Sequence, residues 1–462
     1  MKVALITLGC PKNLVDAEVM LGLIDAAGHT LTADPRSADA VVVNTCAFVS
    51  AAVDEARRVI EDTVRLRRGA LGPRLVVAGC LPQRYGELTM SMFPGVDAVV
   101  GCSRFFDIVL ALADAADGRP SCRVSTPVAQ YDHRSPRILG TPRHLAYVKI
   151  AEGCDNRCAY CTVPSIRGAL RSRDPESVVA ETESLLKLGV REVNLIAQDT
   201  TAYGTDIASG VRLPALVRRL SALGVPWIRI MYAHPAHLSD ELLSAMRDLA
   251  CVVPYIDLPV QHVSDRILRA MGRGMDGADV TAALDRARRA VPGITVRSSA
   301  IVGFPGETEA EFGELLRFVE EGHVDLLAVF EFSPEPGTVA AGMPGQVPAA
   351  AASARARALS NAMARVAAAR SAAAIGTELT VLVDEGGERP RGRTPGQAWE
   401  IDGSVALEGG SHEPGQFVRA RITGARDYDL EAVVVSSESP GGRRGAVARG
   451  RARRDRPEGE TS

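Results

Sequence analysis

The sequence predicts a multidomain α/β protein: an N-terminal open parallel α/β sheet, a central partial (βα)6 barrel and a small all-β barrel. Three observations predict it. Short apolar runs alternate with helical periodicities over residues 1–125 and again over 140–372. From 375 to 437 the period changes to alternating apolar and polar residues with Gly and Pro turns. A polar, proline-bearing segment, STPVAQYDHRSPRILGTPRH, separates the first two zones. At 462 residues the chain is too long for one ordinary core.

The elements follow in order. In the first zone, strands are expected at 2–8, 40–44, 74–78 and 97–101, with helices near 12–27, 50–67, 83–92 and 103–116. In the second, LAYVKIAEG, REVNLIAQD, WIRIMYAH, VVPYIDLPV, TVRSSAIVG and LLAVFEFSP read as six strands of successive βα units. The Ala/Arg-rich stretch 348–374 reads as one long helix, and GTELTVLVDE opens the β zone. The final stretch, 438–462, has little apolar content and seven arginines; it is expected to be disordered, as a solubilising tail or a contact for RNA or a membrane surface.

Composition narrows the function. Hydrophobic residues at 46% and charged residues at 24% are those of a soluble globular protein, and a net charge of -3 argues against a general nucleic-acid coat. No apolar run approaches the roughly 18 residues of a membrane span, and MKVALITLGC leads into a strand without a signal-peptide pattern. A cytoplasmic protein without a membrane partner is expected. In that compartment nine cysteines are metal ligands or reactive thiols sooner than disulfides.

The densest chemical signal is EGCDNRCAYCTVP, which places Cys154, Cys158 and Cys161 in the pattern C-x3-C-x2-C at the end of a strand. Three thiolates can hold three irons of a 4Fe-4S cluster and leave the fourth open to a ligand. A structural zinc would need a fourth ligand, for which Cys251 could be folded in from a distance. A second triplet is spread along the chain. VALITLGC, VVVNTC and RLVVAGC end three strands on Cys10, Cys46 and Cys80, and neighbouring strand ends of an open α/β sheet lie on one edge. One such cysteine would be an apolar filler; three have the count and convergence for a second 4Fe-4S cluster. Cys102 ends the fourth strand and competes as a ligand, whereas Cys122 and Cys251 read as structural.

The motif C-x3-C-x-aromatic-C, with Tyr160 before its last cysteine and opening a six-strand βα domain, resembles the radical S-adenosylmethionine superfamily. The resemblance implies that S-adenosyl-L-methionine chelates the open iron and that an electron from the cluster cleaves it to a 5'-deoxyadenosyl radical. Other strand ends are read alongside: Asn194, Gln198 and Asp199, then His234, Gln261, Arg297 and the segment GFPGE. The glycines permit close approach of a backbone to a ligand. The resemblance implies that Gly303, Pro305, Gly306 and Glu307 lie along the adenine and ribose, and that Gln198 and Arg297 orient the methionyl part. His234 alone reads equally well as a structural hydrogen-bonding group.

The three zones in this order resemble the methylthiotransferases over about residues 1–437, with the last zone similar to a TRAM domain. The resemblance implies two 4Fe-4S clusters, the auxiliary one carrying the sulfur to be inserted. It also implies two molecules of S-adenosyl-L-methionine, one methylating that sulfur and one generating the radical. An electron donor of flavodoxin or ferredoxin type and a sulfur donor are expected partners. One branch of that family modifies adenosine-derived bases of transfer RNA, the other the β-carbon of an aspartate in ribosomal protein S-12, free or within the small ribosomal subunit.

Three features favour the protein branch. TVPSIRGALRSR and YIDLPVQHVSD resemble it, His262 and Val263 standing where the RNA branch tends to have Ser-Gly. The 376–436 zone carries eleven Asp and Glu against six Arg and no Lys, which suits a basic protein better than phosphates. Aromatic residues at 4% leave few platforms for stacking bases; Trp399 is either core or contact. The alternatives are transfer-RNA methylthiolation and a non-catalytic iron-sulfur protein that binds RNA or senses redox state. Against the latter, a cluster meant only for electron transfer usually has all four irons held by Cys.

Overall fold

The computed structural model describes residues 1–67, 72–128 and 130–438, so the Arg-rich tail lies outside the described residues. The first unit is a six-stranded sheet of β1 (Lys2–Thr7), β2 (Thr30–Thr32), β3 (Ala40–Thr45), β4 (Arg74–Gly79), β5 (Ala98–Gly101) and β6 (Ser121–Arg123). Its order is β2-β1-β3-β4-β5-β6, and every pairing is parallel. A parallel strand buried on both faces should be apolar throughout, and AVVVNT is buried at all six positions. Val42 and Val76 turn to the face covered by the helices Pro11–Ala26 and Ile108–Ala116. Val41 and Val43 turn to the face covered by Ser50–Arg65. The two edge strands β2 and β6 escape the sequence pattern because three residues are too few to display a period. The helix expected at 83–92 is two, Cys80–Tyr85 and Leu88–Met92, interrupted at Gly86 with φ of 57°.

The second unit begins with β7 (Leu145–Lys149). The chain then leaves that strand, and β8 (Ala151–Glu152) pairs antiparallel with β9 (Arg171–Ser172) across the cysteine loop. The parallel sheet continues with β10 (Glu192–Ile196), β11 (Trp227–Ile230), β12 (Val252–Asp257), β13 (Thr295–Val302) and β14 (Leu326–Glu331). Its order is β14-β13-β12-β11-β10-β7, with β14 and β7 as free edges, so the barrel is partial. Val148, Val193, Ile228 and Ile256 join the helices on one face in the largest core. The other face carries polar residues, Lys149, Asn194, Arg229 and Asp257 among them, all buried.

The helix Ala349–Ala373 packs Leu359, Ala362 and Met363 into that core and leads to the third unit. This is a closed barrel of β15 (Glu378–Glu385), β16 (Arg391–Arg393), β17 (Val405–Glu408), β18 (Phe417–Arg426) and β19 (Asp429–Glu438), ordered β15-β16-β17-β19-β18 around Val381, Val383, Val405, Val418 and Ile422. A single core connects all three units: Val42 and Val76 of the first, Tyr147, Trp227 and Tyr255 of the second, and Leu382, Ala398 and Phe417 of the third. Trp399 packs against this shared core, so it is a core residue and not a free contact. Among the described residues, no helix is long and apolar enough to cross a membrane.

Candidate active site

The loop that carries Cys154, Cys158 and Cys161 hangs from β8 and is pinned on three sides. Cys154 N–H donates to Gly168 O (3.1 Å), Ala159 N–H to Met271 O (2.8 Å), and Ala340 N–H to Ala159 O (2.9 Å). Cys161 Sγ accepts from Val163 N–H at 3.4 Å. The guanidinium of Arg273 stands 3.7 Å from Cys158 Sγ and is fixed by Pro259 O at 2.6 Å. Burial pushes the thiols up, Cys154 to about 11 and Cys161 to about 12, each reinforced by the charges of its neighbours. Tyr160 is raised by burial as well.

Beside this loop the strand ends hold buried polar atoms without hydrogen-bond partners. They are Asn194 Nδ2, Gln198 Oε1, His234 Nε2 and Gln261 Oε1, while His262 Nε2 and Glu307 Oε1 face each other at 3.6 Å. Orphaned buried polar atoms are rare and costly in a folded protein. Four on the strands and strand ends of one sheet describe a cradle shaped for a polar ligand. Three of these side chains are anchored through their other polar atom. Gln198 Nε2 donates to Glu152 Oε1 at 2.6 Å, His262 Nδ1 accepts from Ser264 N–H at 3.0 Å, and His234 Nδ1 accepts from Ala236 N–H at 3.2 Å. Asp199 takes hydrogen bonds from Asn156 (2.9 Å) and Thr201 (2.5 Å) and pairs with His237 (2.8 Å).

Two of the expected residues also have structural partners in this region. Gly303 has φ of 75°, and a Cβ there would meet Ala352 Cβ at 2.6 Å, so its missing side chain makes room for the helix Ala349–Ala373. Glu307 Oε2 accepts from Gly303 N–H and pairs with Arg355 at 3.2 Å, closing the GFPGE turn with Pro305 and Gly306 inside it. Arg297 pairs with Asp257 at 3.1 Å and with Asp402 of the third unit at 3.4 Å, so its charge is committed between domains.

The second triplet is gathered as the topology requires. Gly9 and Gly79, each immediately before a cysteine, have φ of 90° and 94°. A Cβ on Gly9 would meet Cys46 Cβ at 2.6 Å, and one on Gly79 would meet Asn44 Oδ1 at 2.4 Å. Asn13 Nδ2 ties the ends of β1 and β3 by donating to Leu8 O (2.9 Å) and Thr45 O (3.0 Å). Burial pushes Cys46 up to about 12, and the charges of Cys80 and Cys10 add to the rise. Cys80 is held low by the neighbouring Cys102 thiol and by Arg167, whose Nη2 lies 3.2 Å from Cys80 Sγ. Cys102 Sγ donates to Ile166 O at 3.5 Å. Cys251 precedes β12, at the opposite end of the sheet from the cysteine loop, and bonds Ser221 Oγ at 3.2 Å; it cannot complete a zinc site with Cys154, Cys158 and Cys161.

Each triplet is a set of neighbours and not a formed cage. Among the described residues, no three or more His, Cys, Asp or Glu side chains are placed to hold a metal ion. The donor chemistry nonetheless fits an iron-sulfur cluster. Each site offers three thiols and a guanidinium, Arg273 or Arg167, that favours thiolate sulfur.

A buried ionic network joins the two sites, and sequence reasoning missed it. Lys149 Nζ lies 2.5 Å from Asp16 Oδ1 and 2.5 Å from Glu152 Oε2. Arg167 Nη1 lies 2.7 Å from Asp16 Oδ2 and 3.2 Å from Glu152 Oε2. Two cations and two carboxylates balance, which is how buried charge is tolerated. Burial alone would raise Glu152, but Arg167 and Lys149 outweigh it and hold the carboxyl well below the usual range. The network therefore runs from Gln198 through Glu152 and Arg167 to Cys80. A usable signal was Lys149, a charge inside the otherwise apolar LAYVKI. A second latch is Glu335, which accepts from Ser50 N–H (2.5 Å) and pairs with Arg84 (2.8 Å).

Comparison with known proteins places each unit. The profile of the Radical SAM superfamily matches residues 148–319, that of the Uncharacterized protein family UPF0004 residues 2–101, and that of the TRAM domain residues 375–435. A ribosomal protein uS12 methylthiotransferase RimO of Geotalea uraniireducens (strain Rf4) is 42% identical over 440 residues, covering 94% of this chain and 98% of that protein. The one of Desulforudis audaxviator (strain MP104C) is 44% identical over 439 residues, covering 94% and 97%. Among solved structures, the radical S-adenosylmethionine methyltransferase TsrM from Kitasatospora setae aligns over 73% of this chain and 76% of that one, with a TM-score of 0.53 and 17% identity, a likeness of fold.

Proposed function

Because the chain belongs to the family of ribosomal protein uS12 methylthiotransferases RimO, we propose that it methylthiolates the β-carbon of an aspartate in ribosomal protein uS12. It is a radical S-adenosylmethionine methylthiotransferase. The single observation that carries the reading to this chain's own residues is that Cys80 of the strand-end thiol triplet meets, through Arg167, a buried ionic network that reaches Glu152, two residues before the radical-domain triplet.

In this reading Cys154, Cys158 and Cys161 hold one 4Fe-4S cluster, which supplies the electron that cleaves S-adenosyl-L-methionine, and Cys10, Cys46 and Cys80 hold a second, which supplies the sulfur. The chain's residues position and enclose. Gln198, Asn194 and His234 offer the methionyl part their unpaired polar atoms, and Gln261, with the GFPGE turn that Glu307 closes, serves the adenosyl part. Arg167 and Lys149 fix the first domain against the second, so that the two thiol sets keep one separation. The shared core and closed network exclude water, which protects a radical from quenching.

The third domain supports a protein substrate. Asp384 and Asp402 are consumed at the domain interface, by Arg393 and His144 and by Tyr255 and Arg297. The other nine acids of the barrel are exposed, a surface suited to a basic protein. Electrons would come from a flavodoxin or ferredoxin type donor and sulfur from a separate donor, in the cytoplasm where ribosomes are. Mass spectrometry of uS12 from cells with and without the chain tests the reading. A methylthio mass gain on an aspartate, dependent on the chain, is expected; an unmodified uS12 together with a methylthio-adenosine in transfer RNA would overturn it.

A further inference from the structure

The helix Pro11–Ala26 starts directly after Cys10, and Lys12 lies in its first turn. Lys12 is 7% exposed, with Nζ 3.3 Å from the centroid of the Tyr232 ring. Among the described residues no carboxylate lies within 4.0 Å of it and no hydrogen-bond acceptor is supplied to it, the Tyr232 ring being its one close partner. Its counterparts are treated differently. Lys149, Arg167, Arg229 and Arg393, buried in the same domain interfaces, each pair with at least one carboxylate. Arg273, the other buried cation without one, is turned to Cys158.

The nearby acid is already committed. Asp257 accepts from Arg297 at 3.1 Å and from Tyr232 N–H at 3.2 Å. A buried ammonium without a counter-ion is costly, and two further features make its surroundings favour an anion. The positive end of the helix is directed there, with no acidic residue in the first turn. Tyr232 holds φ of 57°, a left-handed conformation uncommon outside glycine, which sets its ring beneath the ammonium. The position is also special: Lys12 is two residues from Cys10 of one triplet and lies over Tyr232, just past β11 of the second unit's sheet.

We propose that Lys12 binds the side-chain carboxylate of the substrate aspartate and so selects aspartate over its neutral amide. The inference rests on the reading given under Proposed function. Gripping that carboxylate sets the β-carbon one bond away from a fixed point beside Cys10, where sulfur must arrive, and against the end of β11 in the radical domain.

The same ammonium could receive a different carboxylate, that of S-adenosyl-L-methionine, and the test separates the two. Reconstituted full-length protein, Lys12→Gln and Lys12→Arg are assayed on uS12 and on uS12 with the target Asp changed to Asn, with rates normalised to bound iron. Lys12→Gln is expected to reduce the Asp-over-Asn ratio of kcat/KM by on the order of 10- to 100-fold, the worth of one charged hydrogen bond, chiefly through the KM for uS12. Lys12→Arg, which keeps the charge, is expected to retain the preference, and it also serves if the Gln variant fails to load iron. An unchanged ratio in Lys12→Gln, loss of the preference in Lys12→Arg, or a rise in the KM for S-adenosyl-L-methionine in place of that for uS12 would each overturn the proposal. Wild-type protein that leaves uS12 unmodified would instead overturn the proposed function itself.

Discussion

The two cysteine triplets are opposites in construction. Cys154, Cys158 and Cys161 sit on one loop within eight residues, half-buried, and their neighbours come from residues 163–168, 259–273 and 340. Cys10, Cys46 and Cys80 come from three strand ends, and the charge beside them, Arg167, belongs to a different domain. A local triplet depends on a loop; a gathered one depends on a sheet register, two left-handed glycines and an interdomain network. The second is therefore the more exposed to damage from afar.

The comparison breaks most completely at the thiols themselves. Reconstituted protein is expected to hold about eight irons per chain, as two independent three-thiolate clusters require. Cys154→Ala should lower this to about four and abolish cleavage of S-adenosyl-L-methionine to 5'-deoxyadenosine. Cys46→Ala should also lower iron to about four, yet leave cleavage and stop methylthio transfer. Colorimetric iron and chromatography of 5'-deoxyadenosine check both; loss of cleavage in Cys46→Ala would mean that the sites do not act separately.

How much of this was legible follows from the same contrast. The C-x3-C-x2-C loop is readable because its ligands are adjacent, and the gathered triplet because strand ends of a parallel sheet converge whatever lies between them. Arg167 and Asp16 are another matter. They pair across 151 positions and two domains, and periodicity carries no information about such a partner. Gly303 read as a ligand-approach glycine; that its conformation and its approach to Ala352 also require glycine was not legible. The acidity of the third domain was legible as a total, whereas the diversion of Asp384 and Asp402 into the interface was not.

The next effect sharpens the comparison at the network. Arg167→Ala leaves Asp16 and Glu152 facing Lys149 alone, and breaking a buried pair on one side costs about 3–5 kcal/mol. Denaturant unfolding should record that loss. Iron should fall selectively from the Cys10, Cys46 and Cys80 site, with 5'-deoxyadenosine formation retained. Equal loss from both sites would remove the distinction between local and gathered construction.

A carboxylate remote from both triplets supplies the control. Glu192 pairs with Arg229 at 2.7 Å and with Arg393 of the third domain at 2.7 Å. Burial opposes its ionisation, but the two guanidiniums outweigh it and bring it from 4.5 down to about 2. A carboxyl depressed on folding stabilises at pH above its unfolded value and loses that contribution as pH falls through the folded one. About 3 kcal/mol should thus disappear between pH 4.5 and 2. The chain's two tryptophans, Trp227 against Phe417 and Trp399 in the shared core, report on this interface. Their fluorescence should change over that window in the metal-free protein, and Glu192→Gln should weaken the transition.

The smallest effect is expected at Cys102, the fourth strand end, and it decides what a thiol in that position does. Cys102 touches Cys80 and also donates to Ile166 O, on the segment that delivers Arg167. If it packs and does not ligate, Cys102→Ala removes one weak hydrogen bond and a small buried volume, about 1 kcal/mol. Iron should remain near eight per chain and methylthio transfer within about threefold, since that is what about 0.6 kcal/mol of misplacement costs. A ligand would behave otherwise: its loss should cut iron as Cys46→Ala does. Convergence at a sheet edge selects candidates; Cys102 divides its contacts between Cys80 and Ile166 O, so the iron count of Cys102→Ala decides which of four thiols hold the metal.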